Sequence, residues 1–227
     1  MTKFSEVSSL TDAQVQKCWE EAYERFETPE EEIRKFINRL NRLGQINWVR
    51  NQQIVDIFSG RCNGIRALEE LGFTNLEGID ISPNLLSNYQ GKAKLYVADC
   101  RDLPLEDKSR DIIIVQGGLH HLPNLPEGLE KTFSEIARVL RSDGKFIMIE
   151  PWETRFLNMI HFLSKFSLVK LTSPKFDALA TMIHYEANTY FNWLSRKEEI
   201  LVLLSKYFTE EYIHIGWGKI NFIGKNK

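Results

Sequence analysis

The chain has 227 residues, 43% of them hydrophobic, enough to bury the core of one large domain. A formal net charge of −2 leaves no basic footprint for nucleic acid, and three scattered cysteines, Cys18, Cys62 and Cys100, fit neither a disulfide framework nor a zinc site. No apolar run reaches the roughly 18 residues of a transmembrane span, and the polar start MTKFSEVSSLTDAQ lacks the apolar centre of a signal peptide, so a soluble cytoplasmic protein is the expectation.

In chain order, Thr11 or Asp12 is placed to cap a helix through about Phe26. Thr28-Pro29-Glu30-Glu31 starts a second helix, EEIRKFINRLNRL, which stops at Gly44. Residues 1–50 thus read as a helical cap. Residues 51–151 alternate. Strands are predicted at Ile54–Phe58, Leu76–Ile81, Lys94–Ala98, Asp111–Gln116 and Lys145–Glu150. Helices are predicted at Asn63–Leu71, at NLLSNY after Ser82-Pro83, and at Pro126–Leu140, the last ended by a Ser142-Asp143-Gly144 turn. Nearly all-apolar strands alternating with helices imply an α/β, Rossmann-like, mostly parallel sheet with helices on both faces. Residues 152–206 read as helical (Arg155–Leu171 and Pro174–Lys206), an insertion or lid. In residues 207–227, YIHIGWGKINFIG alternates around Gly216-Trp217-Gly218 and predicts an antiparallel C-terminal hairpin. No linker or repeat divides the chain, so one domain is expected.

In such a sheet the ligand lies beyond the carboxyl ends of the strands. Those ends carry Asp56–Gly60, Asp80-Ile81, Asp99-Cys100 and Gln116–His121. Gly60 lets backbone approach a ligand, and the helix beginning near Asn63 turns free N–H groups toward the loop, which suits a carboxylate. The competing reading is an ordinary turn with a capping Asp56. Asp80, 24 positions after Asp56, is placed to accept both ribose hydroxyls; as a helix cap it is less well placed than Ser82. Asp99 and the Cys100 N–H suit an adenine edge, whereas the Cys100 thiol reads as a buried side chain rather than a nucleophile. Two glycines precede His120-His121. Either histidine suits a general base, the alternative being a packed, hydrogen-bonded ring. As a metal site the pair lacks further ligands at suitable spacing, and no metal is expected.

The order of these pieces resembles the class I S-adenosylmethionine-dependent methyltransferases, in particular the type 11 branch, over roughly Ile54–Trp152. The segments VDIFSGRCNG, GIDISPNLL, VADCRDLPL, VQGGLHHLP and EIARVLRSDGKFIMIEPW carry the resemblance. It implies a seven-stranded sheet with an antiparallel last pair and S-adenosyl-L-methionine as cofactor. It places Asp56 and Gly60 at the methionine end, Asp80 at the ribose, Asp99 and Cys100 at the adenine, and Gln116 and Leu119 at the reactive end; Ile81 and Phe58 are further cofactor-binding candidates, Phe58 either facing the sulfonium or packing under the loop. One departure stands out. The family loop commonly reads Asp-x-Gly-x-Gly-x-Gly, and here those glycine positions hold Phe58, Gly60 and Cys62.

The expected function is methyl transfer to a small-molecule acceptor, on oxygen, nitrogen or carbon. His121 is the first candidate base, then His120, Glu150 and His184. Glu150, Trp152, His184 and Tyr185 are candidate pocket residues, though aromatics at helical spacing are more often core. The aromatic-rich insertion suits a lid over an apolar acceptor, a homodimer contact or a membrane-facing surface. The alternative function is a catalytically inactive nucleoside-binding or interaction module that kept the fold, a reading motivated by the altered glycine loop. A nicotinamide dehydrogenase would need G-x-G-x-x-G after the first strand, which Gly60 and Gly64 do not supply.

Overall fold

The computed structural model describes residues 12–227. The capping role expected of Thr11 lies outside them. The chain opens with α1 (Asp12–Phe26) and α2 (Pro29–Arg42). At α2, the Thr28 side chain accepts from the Glu31 N–H while Glu31 reaches back to the Thr28 N–H. Gly44, at φ +80°, ends that segment.

Next come β1 (Gln53–Ile57), α3 (Asn63–Glu70), β2 (Asn75–Asp80), α4 (Pro83–Leu86), β3 (Lys94–Val97), β4 (Arg110–Gln116), α5 (Glu127–Val139) and β5 (Leu140–Pro151). Five helices follow: α6 (Arg155–Leu163), α7 (Ser167–Thr172), α8 (Pro174–Tyr185), α9 (Ala187–Ser195) and α10 (Lys197–Tyr207). The hairpin β6 (Phe208–Gly216) and β7 (Lys219–Asn226) closes the chain. The strands form one seven-stranded sheet in the order β3-β2-β1-β4-β5-β7-β6. β1 to β5 run parallel, and β7 runs antiparallel to both β5 and β6.

Residue alternation explains the two-faced cover. Ile112, Ile114 and Ile147 face α2 and α3, meeting Phe36, Leu40, Ile65 and Leu68. Ile113, Val115, Phe146 and Met148 face the other layer and meet Leu129, Phe133, Ile136 and Phe208. Each such side chain, fully buried, contributes about 1.5–3 kcal/mol before entropy is charged.

Two expectations need correction. Residues 142–144 are not a turn that follows a helix. α5 stops at Val139, and β5 begins at once, with its register to β4 jumping from Arg110/Leu140 to Ile112/Lys145. The two long helices expected after Pro151 meet at Ser173 as expected, but they are five shorter ones, broken also near Ser164, Glu186 and Arg196. Among the described residues no helix is long and apolar enough to cross a membrane.

Candidate functional site

Strand order reverses at β1. From it the chain moves outward to β2 and β3, then returns to β4 on the other side. The carboxyl ends of β1, β2 and β4 therefore border one crevice, and they carry Asp56, Asp80 and Gln116.

The loop after β1 keeps a glycine-type backbone despite its side chains. Phe58, Gly60 and Cys62 have φ of +62°, +50° and +60°. Non-glycine residues pay about 1–2 kcal/mol each in this region. Surrounding contacts hold the shape. The Ser59 N–H donates to the Ile79 carbonyl at 3.1 Å. The Ser59 hydroxyl donates to the Asp56 carbonyl at 2.6 Å and accepts from the Ile79 N–H at 3.0 Å. Phe58 packs against the next loop, where a Cβ on Gly118 would fall inside its ring. A Cβ on Gly60 would meet nothing within 4 Å, so the loop opens to the crevice there.

Asp56 is 4% exposed and lies against the start of α3, where a Cβ on Gly64 would come within 2.6 Å of its Oδ2. Burial, then Glu32 and Asp80, push its carboxyl up to about 8. Asp80 is half-buried. Its Oδ2 accepts from the Gly60 N–H at 2.8 Å and its Oδ1 from the Ser82 N–H at 2.8 Å. Ser82 caps α4, accepting from the Leu85 N–H at 3.4 Å. Ser82 thus takes the helix cap, and Asp80 fastens the first loop to the second. Beyond it Ile81 is 70% exposed, an apolar surface beside a carboxylate.

Asp99 is gripped by Arg101, whose Nε lies 2.9 and 3.1 Å from the two carboxylate oxygens. That contact holds its carboxyl down at about 2. The Cys100 thiol is buried against the Thr132 hydroxyl at 3.5 Å, and burial pushes it up to about 11.

The loop after β4 is built around one buried carboxylate. Glu150, fully buried on β5, accepts from the Gly118 N–H at 2.8 Å and the Leu119 N–H at 2.9 Å through Oε1. Its Oε2 meets His120 Nδ1 at 2.7 Å. The second oxygen-bearing partner comes from far along the chain. Glu186, between α8 and α9, has Oε2 3.2 Å from His121 Nδ1 and 3.9 Å from His120 Nε2. His121, half-buried, is held well below the usual histidine range by burial and by His120. Glu186 is pushed up by burial. Trp19 of α1 closes this corner, edge-on to His121 at 5.7 Å, and Tyr190 stands edge-on to His120 at 5.9 Å.

The other pocket expectations separate. Glu150 anchors the loop. Trp152 is 3% exposed and packs on Trp193, so it is core. His184 is exposed on α8, and Tyr185 lines a surface cavity of about 420 Å³ with Cys18, Arg25 and Thr181, away from the strand tips. Leu119 is fully buried under the crevice rather than lining it.

Reasoning from the sequence missed the cap's contribution. Arg39 of α2 donates to the Gln116 side-chain oxygen. Glu32 of α2 accepts from the Asn63 amide at 2.7 Å and raises Asp56. Tyr23, chiefly through burial and then Glu32, is held well above the usual phenol range. The spacing of charged residues along α2, Glu32 and Arg39 on the face that also carries Phe36, was the only available signal.

Known proteins agree with this geometry. Residues 55–148 match the family model described as a methyltransferase domain. A ubiquinone/menaquinone biosynthesis C-methyltransferase of Geotalea daltonii is 29% identical over 130 residues, covering 52% of this chain and 53% of that one. A demethylmenaquinone methyltransferase of Bacteroides fragilis is 32% identical over 127 residues, 50% of each chain. The chain spans about half the length of these curated relatives. A crystal structure of a Pyrococcus horikoshii protein superposes with a TM-score of 0.66 at 21% identity, covering 90% of this chain and 96% of that one, a likeness of fold.

Proposed function

Because residues 55–148 belong to the methyltransferase domain family of the class I, S-adenosylmethionine-dependent fold, we propose that the protein transfers a methyl group from S-adenosylmethionine to a small-molecule acceptor. The supporting observation is the pair of acid-tipped strands bridged by a loop that opens at Gly60. The residues fit the cofactor. Asp80 spends one lone pair of each oxygen on backbone amides and keeps the others for two ribose hydroxyls. Ile81 offers an apolar face beside it. Asp56 and Glu32 supply carboxylates near the start of α3, where an ammonium group would sit. When bound, the cofactor supplies a methyl group on a cationic sulfur.

The chain's own contribution is proximity, orientation and exclusion of water. Glu150 sets the loop that carries Gln116 to His121. α1 and α2 roof the crevice with Trp19, Tyr23 and Arg39. The printed names of the relatives, a ubiquinone/menaquinone biosynthesis C-methyltransferase and a demethylmenaquinone methyltransferase, favour carbon as the acceptor atom and a quinone-type acceptor. For an acceptor that must first lose a proton, His121 is the proposed base in the ion-free protein, being half-exposed and neutral near pH 7. The altered glycine loop does not argue for an inactive module, since the backbone at 58, 60 and 62 keeps positive φ throughout.

Calorimetry of the full chain with S-adenosylmethionine and S-adenosylhomocysteine tests the reading. Binding of both, weakened at least tenfold in Asp80→Ala, is expected. No binding of either, with and without a quinol acceptor, overturns it.

A further inference from the structure

We propose that His120, His121 and Glu186 form a binding site for one late first-row divalent cation, with zinc as the reference ion. One donor atom from each of the three residues falls within 4.8 Å of both others. Two edges of that triangle are known, 3.2 Å from His121 Nδ1 to Glu186 Oε2 and 3.9 Å from His120 Nε2 to the same oxygen. A tetrahedral ion with bonds of about 2.0–2.2 Å needs donor–donor edges of about 3.3–3.5 Å. One edge is already there and the other closes with a shift of about half an ångström.

Two further observations point to a ligand rather than a packed ion pair. Glu186 Oε2 is buried and makes no well-formed hydrogen bond among the described residues, its polar neighbours being the His121 ring and the Trp19 indole. The nearby His121 nitrogen approaches it without the alignment of a hydrogen bond. An unsatisfied buried carboxylate oxygen costs about 1–3 kcal/mol or more, and an ion held in common by the three groups would remove that cost. The second observation is behind His120. Its Nδ1 lies 2.7 Å from Glu150 Oε2, and the other Glu150 oxygen already accepts two backbone N–H groups. A carboxylate accepts, so Nδ1 donates, which leaves Nε2, on the side of Glu186, as the ring nitrogen that can take an ion. A carboxylate behind a histidine in this way is the arrangement that orients metal-ligating imidazoles.

The donor set decides the class of ion. Two imidazole nitrogens and one carboxylate oxygen suit zinc, iron, cobalt or nickel, whereas magnesium and calcium take oxygen ligands. Three protein ligands leave a fourth position open to water or to an acceptor oxygen, the pattern of reactive rather than structural sites. In the loaded protein His121 is a ligand and not a base. An acceptor hydroxyl at the open position would be acidified by the ion instead.

The test uses the untagged full chain, stripped with a chelator and titrated with Zn²⁺ by calorimetry. One ion per chain is expected, with affinity at least tenfold lower in Glu186→Gln and in His121→Asn. Glu150→Gln, which touches the ion only through His120, should lose about 10–100-fold. Co²⁺ loading of the unaltered chain should give a visible spectrum of nitrogen and oxygen ligation with no thiolate charge-transfer band. That reading stands even where a variant fails to fold. No stoichiometric Zn²⁺ binding, a thiolate band, or folded Glu186→Gln and His121→Asn variants that bind as the parent does would each overturn the proposal. None of these readouts needs methyl donor or acceptor, so loss of the ion site and loss of the methyltransferase reading are separate results.

Discussion

The two halves of the crevice are built differently. The half proposed for the methyl donor, hereafter the donor half, is local. Its loop, Asp56 to Cys62, and its second acid, Asp80, come from adjacent strands and are joined by Ser59 and by the Gly60 amide. The half proposed for the acceptor is assembled from distance. Trp19, Glu150 and Glu186 converge on His120 and His121 from α1, β5 and the α8–α9 junction. The donor half therefore depends on backbone shape, and the acceptor half on buried polar partners that fail together.

That contrast makes the largest expected effect the loss of Glu150. Glu150→Ala strands three buried donors, the Gly118 and Leu119 amides and His120 Nδ1. At about 1–3 kcal/mol for each unsatisfied group, a loss of about 3 kcal/mol or more is expected. A urea midpoint unchanged from the parent would break the comparison. In the donor half, Gly64→Ala puts a methyl 2.6 Å from Asp56 Oδ2. Displacing that carboxylate should cost about 1–3 kcal/mol by thermal unfolding, and should weaken S-adenosylhomocysteine binding in calorimetry.

The pH dependence sharpens the same contrast. The carboxyl of Asp56 lies at about 8 in the folded chain and has an ordinary value of 3.8, with burial as the main cause and Glu32 and Asp80 behind it. Between those values the folded chain keeps a proton that the unfolded chain has released. Stability therefore falls as pH rises from about 4 to about 8, then levels. Asp56→Asn should remove that slope in urea titrations across the range. A slope that survives the substitution would assign it to another group. The smallest effect is expected at Cys62→Gly. Relief of about 1–2 kcal/mol at positive φ offsets the loss of a small buried side chain, leaving a net change within about 1 kcal/mol, read as a shift of a few degrees or less in Tm.

The legibility of the chain follows the same division. β1, β2 and β4 declared themselves through β-branched runs that end in acids or glycines, and the cap of α2 through Thr28-Pro29-Glu30-Glu31. Those signals lie within a few residues. Glu186 did not declare itself, because nothing in HYEANTY distinguishes a solvated glutamate from one facing a histidine pair 65 positions earlier. Arg39 and Glu32 were hidden for the same reason. His184 and Tyr185 were read as one pocket pair and part company, His184 being exposed on α8 and Tyr185 lining a surface cavity away from the strand tips. The break at Ser173-Pro174 was legible through its proline, whereas those near Ser164, Glu186 and Arg196 escaped, for these residues carry no strong stop signal.

The positive-φ loop also bears on how such a chain can change over generations. Two of its three glycine positions are filled, yet the torsions at 58, 60 and 62 remain within 12° of one another. The neighbours impose the shape, so each glycine could be lost singly at about 1–2 kcal/mol, the size of an ordinary point substitution. A chain can thus leave the glycine pattern of this loop one position at a time and stay folded, so glycine lettering alone is a poor guide to whether the loop's shape has been kept.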